Sequence, residues 1–212
     1  MTDYPARFGD AAPSRAVPRR EGWPEPALPH DAAALAELVV MAGEGLPLVA
    51  WQAMAGPGET AMQVGRRRAA RSEGAFSWRN ADVLRDDCGV NGALVSYPLA
   101  ERAGEAEIAE APALFRPLIA LENLATGSWY VNVLAVRPHL RGLGLGTRLL
   151  AHGEARARRA LMPRASLITG DVNPARRLYE RAGFTERARA PVVKDGWDYA
   201  GREWLLYVKE LD

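Results

Sequence analysis

The sequence predicts an α/β fold in which helices cover the faces of a mixed sheet. Helical patterns come first along the chain, followed by a hairpin, a strand, a helix, a strand, a second helix and a closing hairpin. This order is typical of such a sheet. The chain has 212 residues, of which 48% are hydrophobic, which is enough for one domain whose core needs no disulfide or metal.

Composition argues against several classes of protein. A net charge of +1 argues against a general polyanion-binding protein, and no apolar run reaches the ~20 residues of a membrane-spanning helix. Cys88 is the only cysteine and the three histidines are scattered, so we expect neither an internal disulfide nor a metal site. The N-terminus lacks a signal-peptide pattern. We therefore expect a cytoplasmic protein that binds neither membrane nor nucleic acid.

Six of the fifteen prolines fall within the first 30 residues. Proline lacks a backbone donor and interrupts helices, so we predict an extended arm over residues 1–30, with at most a short edge strand near Ser14 to Arg20. The folded domain is predicted to cover residues 31–212.

Three helical patterns open this domain. Asp31 is a candidate cap for the first, which ends at Gly43. The second covers Pro47 to Ala55 and the third runs from about Glu59 to Ser72. Four arginines of the third form either a solvated face or a nucleic-acid contact: Arg66, Arg67, Arg68 and Arg71.

The remaining elements alternate between strands and helices. The stretch Pro98 to Gly127 reads as irregular, with Pro112 and Pro117 flanking a short helix. Ser128 to Val136 is the strongest strand signal, because it is rich in β-branched and aromatic residues. The other predicted strands are Ala75 to Arg85, Gly89 to Tyr97, Ala165 to Thr169, Phe184 to Val193 and Glu203 to Glu210, and the other helices are Gly142 to Leu161 and Asn173 to Ala182.

A glycine-rich turn follows the strongest strand. Residues 136–147 read Val-Arg-Pro-His-Leu-Arg-Gly-Leu-Gly-Leu-Gly-Thr. Free N–H groups at a helix N-terminus bind anions, and glycines let a phosphate approach the backbone. The two common nucleotide-binding motifs fit poorly, because no lysine precedes Thr147 and only Leu145 separates Gly144 from Gly146. The segment is an anion cradle or a plain strand-to-helix turn.

A second segment, residues 173–184, reads Asn-Pro-Ala-Arg-Arg-Leu-Tyr-Glu-Arg-Ala-Gly-Phe. At helical spacing, Asn173, Arg176 and either Tyr179 or Glu180 fall near one face. A lone tyrosine on a helix is usually a half-buried core residue, so this segment alone assigns no role to Tyr179.

Together the two segments resemble those of the GNAT N-acetyltransferase superfamily, the first its acyl-CoA pyrophosphate loop and the second its Asn-x-x-Ala/Arg-x-x-Tyr-x-x-x-Gly-Phe helix. The resemblance is specific from about Trp129 to Phe184. It implies a mostly antiparallel mixed sheet that splays between two strands, with helices on both faces. It also implies acetyl-CoA as co-substrate and direct attack by an amine acceptor in a ternary complex.

The resemblance implies roles for individual residues. Backbone groups of Leu134 and Val136 would pair with the pantetheine arm, and the Leu134 N–H would polarise the thioester carbonyl. Tyr179 would protonate the leaving thiolate. Asn173 would bind the pantetheine, and Arg176 on the same helix face is a further candidate for the cofactor. The pyrophosphate would be held by Arg141, Gly142, Leu143, Gly144, Gly146 and Thr147.

The general base is the least defined role. Many members of the family place an acidic residue on or just before the central strand, but Tyr130, Asn132 and Leu134, predicted to share one face of it, are not acidic. The nearest carboxylate is Glu122, either the base or a solvated loop residue. Asn132 cannot act as a base, although it can orient water or substrate.

The sequence does not determine the identity of the acceptor or the oligomeric state. A small-molecule or peptide amine is the expected partner, and a homodimer is a possible state. Trp51 and Trp78 are either core residues or walls of the acceptor pocket. The main alternative is a non-catalytic acyl-CoA-binding or regulatory module on the same fold, and the second is a nucleic-acid-associated protein that uses the arginines of the third helix.

Overall fold

The computed structural model describes residues 24–212. Their strands are β1 (Glu25–Pro26), β2 (Ala81–Asp86), β3 (Gly89–Leu99), β4 (Ser128–Val136), β5 (Arg164–Gly170), β6 (Thr185–Pro191) and β7 (Glu203–Glu210). The helices are α1 (Ala32–Ala42), α2 (Leu46–Ala53), α3 (Ala61–Ala69), α4 (Glu105–Glu110), α5 (Arg116–Leu124), α6 (Leu145–Arg159) and α7 (Arg176–Arg181). One seven-stranded sheet runs in the order β1-β2-β3-β4-β5-β7-β6. The predicted mixed α/β fold is confirmed.

Helices cover both faces of the sheet. On one face, α6 and α7 pack on the strands through buried residues such as Leu149 and Tyr179. On the other face, α1 to α3 cover β2 to β4 through residues such as Leu35 and Trp51. Next to them, α5 covers the β5–β7 half through Leu121. The sheet is thus a central layer with a core on each side.

The sheet splits between β4 and β5. This is the parallel pair of strands in the sheet, and its pairing covers three residues, from Trp129 opposite Ala165 to Val131 opposite Leu167. Both strands continue beyond that point, β4 along β3 and β5 along β7. Because they run in the same direction and no longer pair, a gap opens between their carboxyl ends.

A β-bulge interrupts β4 beside this gap. Val95 of β3 lies opposite Val133, whereas the next residue, Ser96, lies opposite Val131, so Asn132 is the extra residue. An extra residue reverses the alternation of side chains along a strand. The side chains that follow Asn132 therefore point to the opposite faces from those that regular alternation along β4 would give them.

The region before β4 differs most from the sequence prediction. Residues 98–127 are not irregular, since β3 continues to Leu99 and both α4 and α5 lie in this stretch. The short helix predicted between Pro112 and Pro117 is wrong, because Pro117 lies in the first turn of α5, where a proline costs no hydrogen bond.

Other strand and helix boundaries also differ, for example those of β2 and α6. The strand predicted from Ala75 begins only at Ala81, because a 3₁₀ turn at Trp78–Asn80 precedes it. Helix α6 begins three residues later than predicted, because Gly142 and Gly144 have left-handed φ angles of 77° and 78° that an α-helix does not accommodate.

The predicted edge strand near Ser14 to Arg20 lies outside the described residues, and that prediction stays open. Within residues 24–30, Glu25 and Pro26 pair with Val83 and Asp82 of β2 as the edge strand β1. In residues 24–212 no single helix is long and apolar enough to span a membrane; one helix pair bent by 120°, Pro29–Ala42 with Leu46–Ala53, passes on length and composition alone.

Candidate active site

The edge of β4 that faces the gap is unpaired with β5 beyond Val131. The Arg137 N–H donates to the Asn91 carbonyl on β3 at 2.9 Å. Backbone groups alternate in direction along a strand, so Leu134 and Val136 direct their N–H and C=O groups away from β3, toward the gap. The Val136 carbonyl accepts a hydrogen bond from Arg141 Nε at 3.2 Å.

The glycine-rich turn presents a set of unpaired donors at the start of α6. None of the N–H groups of residues 142–147 donates to a protein acceptor within the described chain. A side chain at Gly142 or Gly144 would meet no atom within 4 Å, so the space beside the turn is open. Unpaired donors next to open space are what a bound pyrophosphate requires.

Gly146 has a different role from the first two glycines. A Cβ atom at this position would lie 3.3 Å from Leu178 Cδ2 and 3.7 Å from Leu134 Cδ2. The small residue therefore lets the start of α6 approach both β4 and the residues of α7. This contact also shows that the Leu134 side chain lies on the α6 face of the sheet.

Tyr179 lies in α7, on the face of the sheet that α6 covers. Its side chain is buried, with its ring centroid 6.4 Å from that of Phe184 and 6.5 Å from that of Tyr207. Within the described residues, no group hydrogen-bonds its hydroxyl. Burial raises the pKa of Tyr179 to about 12, so the phenol keeps its proton at neutral pH and is available as a donor.

The turn before α7 and the first residue of that helix hold the other two predicted residues, Asn173 and Arg176. Asn173 Oδ1 accepts from the Ala175 N–H at 2.9 Å, which leaves the side-chain amide N–H₂ as a donor. Arg176 donates to the Tyr207 hydroxyl at 3.2 Å and to the Asp171 carbonyl at 2.8 Å. The guanidinium of Arg176 is thus held by Tyr207 within β7 and by the residue that follows β5.

Glu122 belongs to a polar cluster on the opposite face, in which Tyr130 is buried. It lies in α5, is half-buried, and accepts a hydrogen bond from the Tyr130 hydroxyl. The Tyr130 ring meets the Tyr97 ring edge-on at 5.8 Å. Asn132 Nδ2 donates to the Tyr97 hydroxyl at 2.7 Å. Three elements, α5, β3 and β4, therefore bring these four side chains together beside the bulge.

Electrostatics in this cluster favour protonated groups. Burial raises the pKa of Glu122, and the hydrogen bond from Tyr130 opposes part of that rise. Burial also raises the pKa of Tyr97 and Tyr130, and the nearby Glu122 charge raises both further. The interpretation of Glu122 as a solvated loop residue is wrong, because the residue lies in a helix and its carboxylate is largely removed from water.

The prediction that Tyr130, Asn132 and Leu134 share one face is also wrong. Tyr130 packs with Tyr97 on the face covered by α1 to α3 and α5, whereas Leu134 packs on the α6 face. The bulge at Asn132 separates them. Consequently, the Glu122 cluster and the glycine-rich turn lie on opposite faces of the sheet, at either side of the gap.

Sequence reasoning missed Tyr97, whose place opposite Tyr130 depends on the β3–β4 register. Trp51 is a core residue, 4% exposed and stacked on Phe76 at 5.7 Å. Near the gap, Trp197 of the β6–β7 loop donates to the Glu44 carbonyl at 3.1 Å. This bond ties that loop to the α1–α2 turn.

Comparison with known proteins supports this geometry. Residues 92–184 match the sequence model of the acetyltransferase (GNAT) family. They include the β3–β4 bulge, the glycine-rich turn and α7. Over these residues the chain is similar to the GNAT family. This similarity indicates acyl transfer as the class of reaction.

Solved structures agree with the GNAT fold. A mosquito arylalkylamine N-acetyltransferase-like protein (5b) has a TM-score of 0.63 at 16% identity, and a Drosophila melanogaster polyamine N-acetyltransferase has 0.60 at 17%; each comparison covers 88% of this chain and 98% of the other. A Staphylococcus aureus N-acetyltransferase has a TM-score of 0.60 at 18% identity, with 87% and 98% covered. No curated protein matches the sequence. Within residues 24–212, no group of three or more histidine, cysteine or acidic residues could hold a metal ion.

Proposed function

We propose that this GNAT protein transfers an acetyl group from acetyl-CoA to a primary amine within a ternary complex. The observation that supports this most strongly is the pairing of an open β4 edge with six unpaired N–H groups at the start of α6. The two features lie at the same end of the gap, so one elongated anionic thioester fits both.

Binding in this proposal uses main-chain donors. The N–H groups of residues 142–147 hold the pyrophosphate, together with the Arg141 side chain at the rim. The backbone of Leu134 and Val136 pairs with the pantetheine, and the Asn173 amide donates to it from the other wall. Arg176 contributes by fixing the turn that carries Asn173, since its guanidinium binds the Asp171 carbonyl.

Catalysis in this proposal divides between the two faces. Acetyl-CoA supplies the thioester carbonyl. The Leu134 N–H polarises that carbonyl, as an oxyanion-hole donor does. Glu122 removes a proton from the acceptor amine, directly or through water, because only a neutral amine attacks a thioester. Tyr179 donates its proton to the leaving sulfur, and its raised pKa keeps that proton in place beforehand.

A small-molecule amine is the acceptor that the Glu122 cluster favours. Glu122, Tyr97 and Tyr130 present one carboxylate and two aromatic rings, and a cationic amine binds to such a combination before it loses its proton. Two structurally similar proteins are named as an arylalkylamine-type and a polyamine acetyltransferase. Panels of arylalkylamines and polyamines are therefore the first acceptors to test.

Calorimetric titration with acetyl-CoA, followed by thiol release across an amine panel, tests the proposal. We expect one-to-one micromolar binding, weaker binding of dephospho-CoA and NAD, and turnover with at least one amine. Binding without turnover over the whole panel would favour a non-catalytic acyl-CoA-binding module. No binding at all would remove both functions.

Tyr179→Phe tests the proposed general acid. We expect kcat to fall ~10²-fold or more, the usual contribution of general acid catalysis, with acetyl-CoA affinity nearly unchanged. Tyr199→Phe is the matched control, because this buried tyrosine stacks on Trp197 in the β6–β7 loop. Unchanged turnover in Tyr179→Phe would exclude Tyr179 from the mechanism.

A further inference from the structure

A second cleft lies at the far end of α6, between that helix and the β1–β2 edge of the sheet. It has a volume of about 410 Å³, within the range of small-molecule pockets. Three lining residues, His152, Arg156 and Arg159, project from one face of α6 at helical spacing. The opposite wall includes Arg79 from the 3₁₀ turn and Asp82 from β2.

The floor of this cleft is already neutralised. Asp82 is 4% exposed, and its carboxylate is paired with Arg156 and approached by His152 Nε2 at 3.2 Å. Arg156 also stacks over the Trp129 ring at 5.1 Å. His152 Nε2 is buried and makes no well-directed hydrogen bond. One acidic group is therefore matched by one arginine, with the His152 imidazole beside it.

The rim of the cleft carries uncompensated positive charge. Arg79 and Arg159 are both exposed. Arg79 lies over the Trp78 ring at 4.6 Å. The side chains of Arg79 and Arg159 make no ion pair or hydrogen bond with a described residue. Arginines at the end of a helix commonly stabilise its dipole, but that effect does not explain Arg79, which comes from a different element and faces the same cleft.

We propose that this cleft binds the oxyanion group of a small molecule, a phosphate or a carboxylate. Arg79 and Arg159 supply two planar guanidinium groups from opposite walls, the arrangement that clamps such an anion. The Asp82–Arg156 pair forms the floor and holds α6 at a fixed distance from β2. The site is independent of acyl transfer, because His152 and Arg159 lie ~10 and ~21 Å along α6 from Leu145.

Histidine side-chain NMR tests the proposal on the full-length protein. The chain has three histidines: His152 lines the cleft, whereas His139 precedes the pyrophosphate turn and His30 lies near the N-terminus of α1. Inorganic phosphate and succinate are titrated separately at fixed pH and ionic strength. We expect a saturable shift of the His152 imidazole resonances, with a binding curve distinct from any response of His139.

The decisive comparison uses two double variants of equal charge. Arg79→Gln with Arg159→Gln is expected to weaken the His152 response at least about tenfold, since both charge-assisted contacts are lost. Arg66→Gln with Arg187→Gln removes two exposed arginines elsewhere and is expected to leave it unchanged. Unchanged acetyl-CoA affinity and circular dichroism show that the first variant is folded.

Three results overturn the proposal: a His152 shift that grows linearly without saturation, equal dissociation constants in wild type and the first variant, or equal losses in both variants. The last would indicate general electrostatic attraction. The stronger of the two probes identifies the oxyanion, since tighter phosphate binding indicates a phosphate ester and tighter succinate binding a carboxylate.

Discussion

In the proposed mechanism, burial prepares Glu122 and Tyr179 for opposite proton transfers. Burial raises the pKa of both groups. For the phenol, the higher pKa means that the proton stays on until a stronger base, such as a leaving thiolate, appears. For the carboxyl group, it brings the proton affinity closer to that of an amine, which makes Glu122 a better base once it is ionised.

Glu122→Gln is expected to lower kcat/KM about 100-fold at neutral pH, because the amide accepts no proton. A base with a raised pKa works only when deprotonated, so wild-type activity should rise with pH through that pKa. The variant should lose this ionisation. Rates measured with two amines of different pKa distinguish the ionisation of Glu122 from that of the amine. The rise in rate that is due to Glu122 occurs at the same pH for both amines.

Glu107→Gln is the matched control for this variant, because Glu107 is an exposed carboxylate on α4 with no partner among the described residues. We expect its kcat/KM and pH profile to equal those of the wild type. If kcat/KM of Glu122→Gln still falls at low pH as it does in the wild type, another group is the base.

At the scale of elements, two local backbone irregularities border the gap. The bulge at Asn132 ends regular alternation on β4, so that Tyr130 joins the Glu122 cluster while Leu134 faces α6. Because of the glycine-rich turn, α6 begins only at Leu145, and the backbone N–H groups at its start stay unpaired. Neither irregularity would persist in a regular strand or helix, and both border the place where β4 and β5 part.

Gly144→Val is expected to abolish acetyl-CoA binding, because a branched side chain would fill the open space that the pyrophosphate needs. Gly58→Val is a closely matched control. Gly58 has a φ of 77° against 78° for Gly144, and a Cβ at either glycine would meet nothing within 4 Å. Both variants carry similar backbone strain, of about 1–2 kcal/mol. Calorimetry should show lost binding in Gly144→Val alone; equal loss in both variants would mean that strain is responsible.

At the scale of the whole molecule, the sequence predicts regular elements and motifs better than their relative placement. The bounds of β4 and β7 agree with the prediction, because aromatic and β-branched residues fill both strands. The bulge could not be predicted, since an inserted residue changes register without changing composition. Helix α5 was missed because Pro117 suggested a break, although proline is tolerated in a first turn. The sequence therefore indicates Glu122 as a candidate base but does not predict its position in α5 beside Tyr130.

The N-terminal part of the described chain is fastened to the sheet by one charged cluster. Asp31, 4% exposed, accepts a hydrogen bond from Arg85 Nη2 at 2.8 Å and one from the Leu28 N–H at 2.7 Å. Arg85 Nε also donates to Glu25 at 2.7 Å. Burial alone would raise the pKa of Asp31, but the Arg85 and Leu28 hydrogen bonds outweigh it and lower the pKa.

Asp31→Asn should therefore destabilise the protein in a pH-dependent way. A carboxyl group whose pKa is lower in the folded state stabilises that state above its unfolded pKa of ~3.9, and this contribution is lost as pH falls through the folded value. We expect the free energy of unfolding to drop by about 2 kcal/mol at neutral pH. The difference from wild type should shrink as pH falls below ~4, as measured by urea denaturation. Glu37→Gln removes an exposed ion pair with Arg137, with side chains 46% and 34% exposed, and should cost less than ~1 kcal/mol. A loss in Asp31→Asn no larger than in Glu37→Gln would mean that β1 and α1 are held by packing alone.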